Sequence, residues 1–273
     1  MSLKEASYRV WSYVRHVLTS WHTGGEGVHS PKLFYIVRMV LYDENAYYAY
    51  ARIEQQRARL LHSDATVTQT DYGTGARTRG AREASVERRV ADIARRHLES
   101  ADTGQLLFRL TNYLASVSDK PLSVVELGTS LGITTAYLAS PSAKVRVQTY
   151  EGAEKVADVA MEVWRALGLT NIEPVIGNID DTLRKNQPKR IDLAYIDANH
   201  TYEATLRYFK QLLPAMQQNS ICVIDDIHHS EEMEKAWKEI QQIAQVTSTI
   251  DCYRLGIVFF DKHYIRKHYR MRI

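Results

Sequence analysis

The chain has 273 residues, with 45% hydrophobic and 25% charged residues and a formal net charge of +3. That length suits one large domain or two small ones, and the composition excludes wholesale disorder. The longest uncharged apolar runs, Leu193–Ile196 and Ile221–Ile224, fall far short of the ~18 residues a membrane span needs. Lys4, Glu5 and Arg9 leave no room for a secretory h-region. Cys222 and Cys252 sit in strand-like runs without a CxxC or a disulfide framework, so a reducing, cytoplasmic setting is expected. A charge of +3 is too mild to argue for nucleic acid.

The first 118 residues read as helix. Val10, Trp11, Val14 and Val17 recur at helical spacing, and Ser30-Pro31 opens a second helix carrying Leu33, Ile36, Val37 and Val40. Residues 46–61 form a third. From Val67 to Gly80 the pattern breaks, and the glycine-rich 67–85 stretch reads as a flap loop. Helix returns over Val86–His97 and Gln105–Ser116. Arg77–Arg96 and the 262–273 tail are basic, and both read as solvated surface, the tail a solubilising one. Tyr8, Trp11, Tyr13, Trp21, Tyr47 and Tyr48 suit either a core or a dimer contact.

From Leu122 the grammar changes to alternating strand and helix. Strands are expected at Ser123–Leu127, Val145–Tyr150, Ile172–Ile176, Ile191–Ile196 and Ile221–Ile224, with crossover helices between them. Thr247–Tyr253 and Leu255–Phe260 are joined too tightly for a crossover and must run antiparallel. The expectation is an α/β fold: a doubly wound, seven-stranded, mostly parallel sheet over residues 119–261, preceded by an all-helical N-terminal region, 1–118, and followed by the basic tail.

Such sheets bind ligands beyond the carboxyl ends of their strands. There stand Glu126-Leu-Gly128-Thr-Ser130-Leu-Gly132, Glu151, Asp197-Ala-Asn-His200 and Asp225-Asp226-Ile-His228-His229. Ser130 replaces the middle glycine of a GxGxxG, and Glu126 repels a pyrophosphate but suits a cationic ligand. Glu151 can accept both hydroxyls of a ribose. A nucleoside bearing positive charge fits these features: S-adenosylmethionine.

Val124-Val-Glu-Leu-Gly-Thr-Ser-Leu-Gly-Ile-Thr-Thr-Ala-Tyr-Leu138 resembles motif I of the class I S-adenosylmethionine-dependent methyltransferases, in the O-methyltransferase branch of the catechol and caffeoyl-coenzyme A type. Tyr195–Tyr202 and Val223–His228 strengthen the likeness over residues 120–260, and His29-Ser-Pro31 and Asp71–Arg77 resemble a bacterial methyltransferase subgroup. The resemblance implies cofactor contacts from Glu126, Gly128, Ser130, Gly132, Glu151, Asn178, Ile179 and Asp197. It implies a divalent cation, Mg²⁺ or another, on Asp197, Asp225 and Asp226, the last standing where the family often has asparagine. His200 falls where those enzymes place a lysine base, so Asp197 and His200 are the expected catalytic pair, with His228 and His229 competing for the base role. The function implied is O-methylation of a small-molecule acceptor. An RNA methyltransferase guided by the arginine stretch and a catalytically silent cofactor-binding scaffold are the alternatives.

Overall fold

The computed structural model describes residues 3–71 and 84–273. The chain order is α1 (Leu3–Thr19), α2 (Pro31–Ile36), α3 (Tyr48–Leu61), β1 (Thr66–Asp71), β2 (Ala84–Arg89), α4 (Val90–His97), α5 (Ala101–Ser116), β3 (Leu122–Leu127), α6 (Ile133–Ala139), β4 (Val145–Glu151) and α7 (Glu154–Leu167). There follow β5 (Ile172–Ile176), α8 (Ile179–Lys185), β6 (Ile191–Ile196), α9 (Tyr202–Leu212), β7 (Met216–Ile224), α10 (Glu231–Gln242), β8 (Ser248–Asp251), β9 (Gly256–Phe259) and β10 (Lys267–Arg270). Strands β3–β10 form one mostly parallel sheet in the order β10-β8-β9-β7-β6-β3-β4-β5. This is the expected doubly wound fold with one strand more than the sequence announced. The chain divides into two compact units, residues 44–187 and residues 1–43 with 188–273.

In the 44–187 unit, β3, β4 and β5 pair in parallel, with Glu126 beside Thr149 and Glu151 beside Ile176. One core joins α3, α4 and α5 to α6 and α7 through Ile53, Leu60, Ile93, Phe108, Tyr137, Ala160 and Trp164. Helix α5 starts at Ala101, earlier than its leucines suggest, because Ser100 caps it by accepting from Thr103 N at 3.2 Å. Gly168, at φ +73°, ends α7.

The reading of residues 67–85 as a flap loop followed by helix from Val86 needs correction. Val67–Asp71 is strand and not loop, paired antiparallel with Ala84–Arg89, so α4 starts only at Val90. Threonines 66, 68 and 70 supply the β-branched residues this ribbon favours, and Thr68 Oγ1 donates to Glu87 at 2.9 Å. Of the expected flap, residues 72–83 lie outside the described residues.

In the other unit β6 pairs in parallel with β7, β7 and β8 each pair antiparallel with β9, and β10 runs parallel to β8. The tight β8–β9 connection is antiparallel, as its length requires. Pro214, which lacks an N–H, ends α9 at Leu212 through a 3₁₀ turn. Ser30 caps α2, which runs on through a π turn over Val37–Leu41. The basic tail is not merely solvated: it supplies β10 and buries Tyr269 and Met271. Helix α1 also departs from its expected orientation. Ser12 and His16 face inward, while Trp11, 57% exposed, Val14, Leu18 and Trp21 face outward.

Candidate active site

In the 44–187 unit the candidate residues gather at the ends of β3 and β4. Glu126 is fully buried and accepts from Thr135 Oγ1 and, at 2.6 Å, from Thr149 Oγ1. Thr129 Oγ1 lies 2.6 Å from Thr149 Oγ1, so three threonines surround this carboxylate's turn. Gly128, at φ +102°, and Thr129 both donate their backbone N–H to Tyr150 O, which pins the turn against β4.

Ser130 takes the left-handed φ of +50° that a glycine normally fills. Its N–H donates to Glu151 Oε2 at 2.8 Å, while Ala153 N donates to Oε1 at 2.9 Å. Its Oγ is buried and has no hydrogen-bond partner among the described residues. Gly132 caps α6 at φ +78° and accepts through its carbonyl from Trp164 Nε1 at 2.9 Å. After β5, Gly177 N donates to Glu151 O, and Asn178 caps α8 by accepting from Asp180 N at 2.9 Å. Asn178 is therefore the cap of α8. Ile179 is the first helical residue and is half-buried.

In the other unit the candidates follow β6 and β7. Asp225 N donates to Ile196 O, which ties the two strand ends together. Asp197 and Asp225 bring carboxylate oxygens within 4.8 Å of each other. Asp226 is not part of that group. It sits at φ +53°, 3.2 Å from His229 Nδ1 and 3.9 Å from Arg254 Nε. Burial alone would raise its carboxyl, but the His229 bond and the charges of His200, His229 and Arg254 hold it below the ordinary value. Arg254 also stands 3.5 Å from Asp225.

His200 Nε2 lies 3.2 Å from Asp197 Oδ1, on a turn where Asn199 and His200 both have positive φ, +67° and +36°. Its ring stacks on that of His229 at 6.1 Å. Arg9 Nη2 lies 2.8 Å from His229 Nε2 and 3.1 Å from Nδ1, the nitrogen that also faces Asp226. His228 is buried, with Nε2 3.0 Å from Asp251 and Nδ1 3.7 Å from Glu234. Burial pushes this imidazole down, but the two carboxylates outweigh it and raise its proton affinity above the ordinary value. All three histidines stand beside an aspartate; His228 is buried between two carboxylates and His229 is engaged by Arg9, which sets both apart from His200.

Sequence reasoning missed Thr129, Thr149, Arg9 and Arg254. Thr149 was findable as an inward position of β4. Arg254 follows from the antiparallel pairing that sets Gly256 opposite Ile224. Arg9 is 220 residues from His229, and no local pattern announces it.

Residues 125–227 match a family model described as a methyltransferase domain. Among solved structures, an O-methyltransferase from Bacillus cereus in complex with S-adenosylhomocysteine is 16% identical, covers 80% of this chain and 93% of its own, and superposes with a TM-score of 0.54. An O-methyltransferase from Streptomyces achromogenes involved in tomaymycin synthesis, in complex with S-adenosylmethionine, is 16% identical over 84% of this chain and 94% of its own, at 0.54. A Podospora anserina methyltransferase bound to S-adenosylhomocysteine is 12% identical over 85% and 96%, at 0.56. No curated protein matches the chain in sequence. At these identities the likeness to solved structures is one of fold, and the family match places a methyltransferase domain over residues 125–227.

Proposed function

We propose that the chain is an S-adenosylmethionine-dependent O-methyltransferase acting on a small-molecule hydroxyl. The observation that carries the reading is the β3–α6 turn. A serine is held in a glycine-like conformation by the Glu151 carboxylate, and its buried Oγ lacks a partner among the described residues. A buried polar atom left in that state costs free energy unless something occupies it. Ser130 fits a cofactor carboxylate, Glu151 the ribose hydroxyls, and Asn178 and Ile179 the adenine. Glu126 shapes the turn through its threonines, and Gly128 and Gly132 leave room for close approach. Bound there, the cofactor supplies a sulfonium methyl group.

The chain's own residues then have two tasks. Asp197 accepts from His200 Nε2–H, which leaves the lone pair on Nδ1 and prepares the imidazole to take a hydroxyl proton. Asp197 and Asp225 are the pair we assign to a divalent cation, which would acidify and orient the acceptor oxygen. Asp226 stays with His229 and Arg254. The free thiols of Cys222 and Cys252 accord with work in a reducing compartment, the cytoplasm. Among the described residues no helix is long and apolar enough to cross a membrane.

Calorimetry with S-adenosylmethionine and with S-adenosylhomocysteine tests the reading. Wild-type protein should bind both, and Glu151→Gln should weaken binding by on the order of 1–3 kcal/mol, the scale for hydrogen bonds to a charged group. Absence of heat with either ligand refutes the proposal. Binding without transfer to any of a panel of hydroxyl acceptors would return the chain to a cofactor-binding scaffold. EDTA separates out the cation: transfer should stop while cofactor binding persists, and activity surviving exhaustive chelation removes the metal and leaves His200 as the base.

A further inference from the structure

The inward face of α1 is polar, and what it meets is a closed cluster of metal-ligating groups. His16 Nδ1 lies 3.2 Å from Asp251 Oδ1, and His228 Nε2 lies 3.0 Å from Asp251 Oδ2. One donor atom from each of the three residues falls within 4.8 Å of the other two. All three side chains are only 3% exposed. A zinc ion holds nitrogen and carboxylate oxygen at about 2.0–2.2 Å, which sets neighbouring donors roughly 3.0–3.5 Å apart. The two observed separations are of that size.

The surroundings are those of ligands held in place. His16 Nε2–H donates to Met271 O at 3.3 Å, which fixes the tautomer that leaves Nδ1 as a ligand atom. His16 Nδ1 makes no hydrogen bond of acceptable geometry with any described residue, despite its closeness to Asp251. His228 Nδ1 faces Glu234 Oε2 at 3.7 Å, so a carboxylate stands behind the second imidazole also. Asp251 is itself held: Tyr253 N donates to Oδ1 at 3.0 Å and Arg270 Nε to Oδ2 at 3.1 Å. Glu234 is neutralised separately by Arg15 at 2.7 Å and Lys238 at 2.6 Å. The carboxylate that faces both imidazoles is thus Asp251, and among the described residues its cationic side-chain neighbour besides the two histidines is Arg270, from the β10 side.

The geometry points to a second, structural metal site on His16, His228 and Asp251, selective for a borderline divalent ion, Zn²⁺ foremost. Two imidazoles and one carboxylate suit such an ion and discriminate against Mg²⁺, which prefers oxygen alone. The ligands come from α1, the β7–α10 turn and the end of β8. The ion would therefore clasp the N-terminal helix to the sheet where no apolar stripe does so.

The test uses the full chain, stripped with a chelator and titrated with Co²⁺ and then Zn²⁺ in excess Mg²⁺. One equivalent of Co²⁺ should give visible d–d absorption of a nitrogen-ligated site, quenched by Zn²⁺, and Zn²⁺ should raise the unfolding temperature. His16→Ala and Asp251→Asn should each remove the absorption or weaken binding at least tenfold. Asp197→Asn with Asp225→Asn should leave it intact, which separates this site from the acidic pair. His16→Gln, which keeps polarity and bulk, covers the case in which the alanine variant does not fold. Two results overturn the proposal. One is a flat Co²⁺ titration of the wild-type protein; the other is a signal that persists unchanged in folded His16→Gln.

Discussion

Gly132 illustrates how a single position can be set by packing as much as by a ligand. A Cβ built there would stand 2.6 Å from Trp164 Nε1 and 2.7 Å from Ala160 Cβ, on a backbone with φ +78°. Gly168 has nearly the same φ, +73°, but nothing within 4 Å of its absent Cβ. The two alanine variants therefore separate steric crowding from backbone strain. Gly168→Ala should cost only the left-handed backbone penalty, about 1–2 kcal/mol. Gly132→Ala should add an overpacking cost of roughly 1–3 kcal/mol. Thermal unfolding by circular dichroism decides: equal losses would mean that the α6–α7 contact gives way without cost. The same residue-level reasoning separates the candidate histidines. Each lies beyond a strand end, but His228 faces two carboxylates and His229 is engaged by Arg9, so only their surroundings distinguish them from His200.

Strand β10 is the element whose role differs most from its composition. Lys267-His-Tyr-Arg270 carries charge and a single buried apolar residue, so it reads as tail. In place it runs parallel to β8 and brings Tyr269 and, just beyond it, Met271 into the core. Removing residues 263–273 should forfeit about 1.5–3 kcal/mol for each of these side chains and bare the edge of β8. Against a total stability of roughly 5–15 kcal/mol, the truncated chain should melt well below the full one and aggregate. Unchanged melting and solubility after truncation would mean that β10 is dispensable. The contrast with α7 explains what the sequence made legible. Helix α7 has a clean 3.6-residue apolar stripe and a terminal glycine, and β6 is apolar at every position but Asp192, so both were readable to the residue. The β1–β2 ribbon and β10 have no such period, because their partners, not their own side chains, make them strands. In the candidate site the carboxylates at strand ends were legible from the strands themselves. Their cationic partners were not, since Arg9 and Arg254 arrive through long-range pairing.

At the scale of the molecule, the unit holding β6–β10 is assembled from both ends of the chain. Met271 and Arg272 carbonyls accept from His16 Nε2 and the Tyr42 hydroxyl, His22 exchanges hydrogen bonds with Arg270, and Arg272 N donates to Thr23. Asp261 is a further link of this closure. It accepts from Lys32 Nζ at 3.0 Å, Gln218 Nε2 at 3.2 Å and His263 N at 3.0 Å, and so binds the start of α2 to the strand ends. Burial acts to raise its carboxyl, but these donors outweigh it and hold it below the ordinary carboxylate range. A carboxyl depressed in the folded state contributes stability above its unfolded pKa, near 3.9, and loses that contribution as pH falls through the folded value. Asp261→Asn should therefore destabilise the protein by on the order of 1 kcal/mol at pH 7, the scale of a partly exposed charge-assisted link. The gap should narrow as both proteins are brought below pH 4, where the carboxyl of the unfolded wild-type chain takes up its proton while the folded one still resists it. Urea unfolding of the two proteins at pH 7, 5 and 3 measures it. A gap constant across that range would assign the closure to neutral hydrogen bonds and leave the Lys32 charge without a part in it.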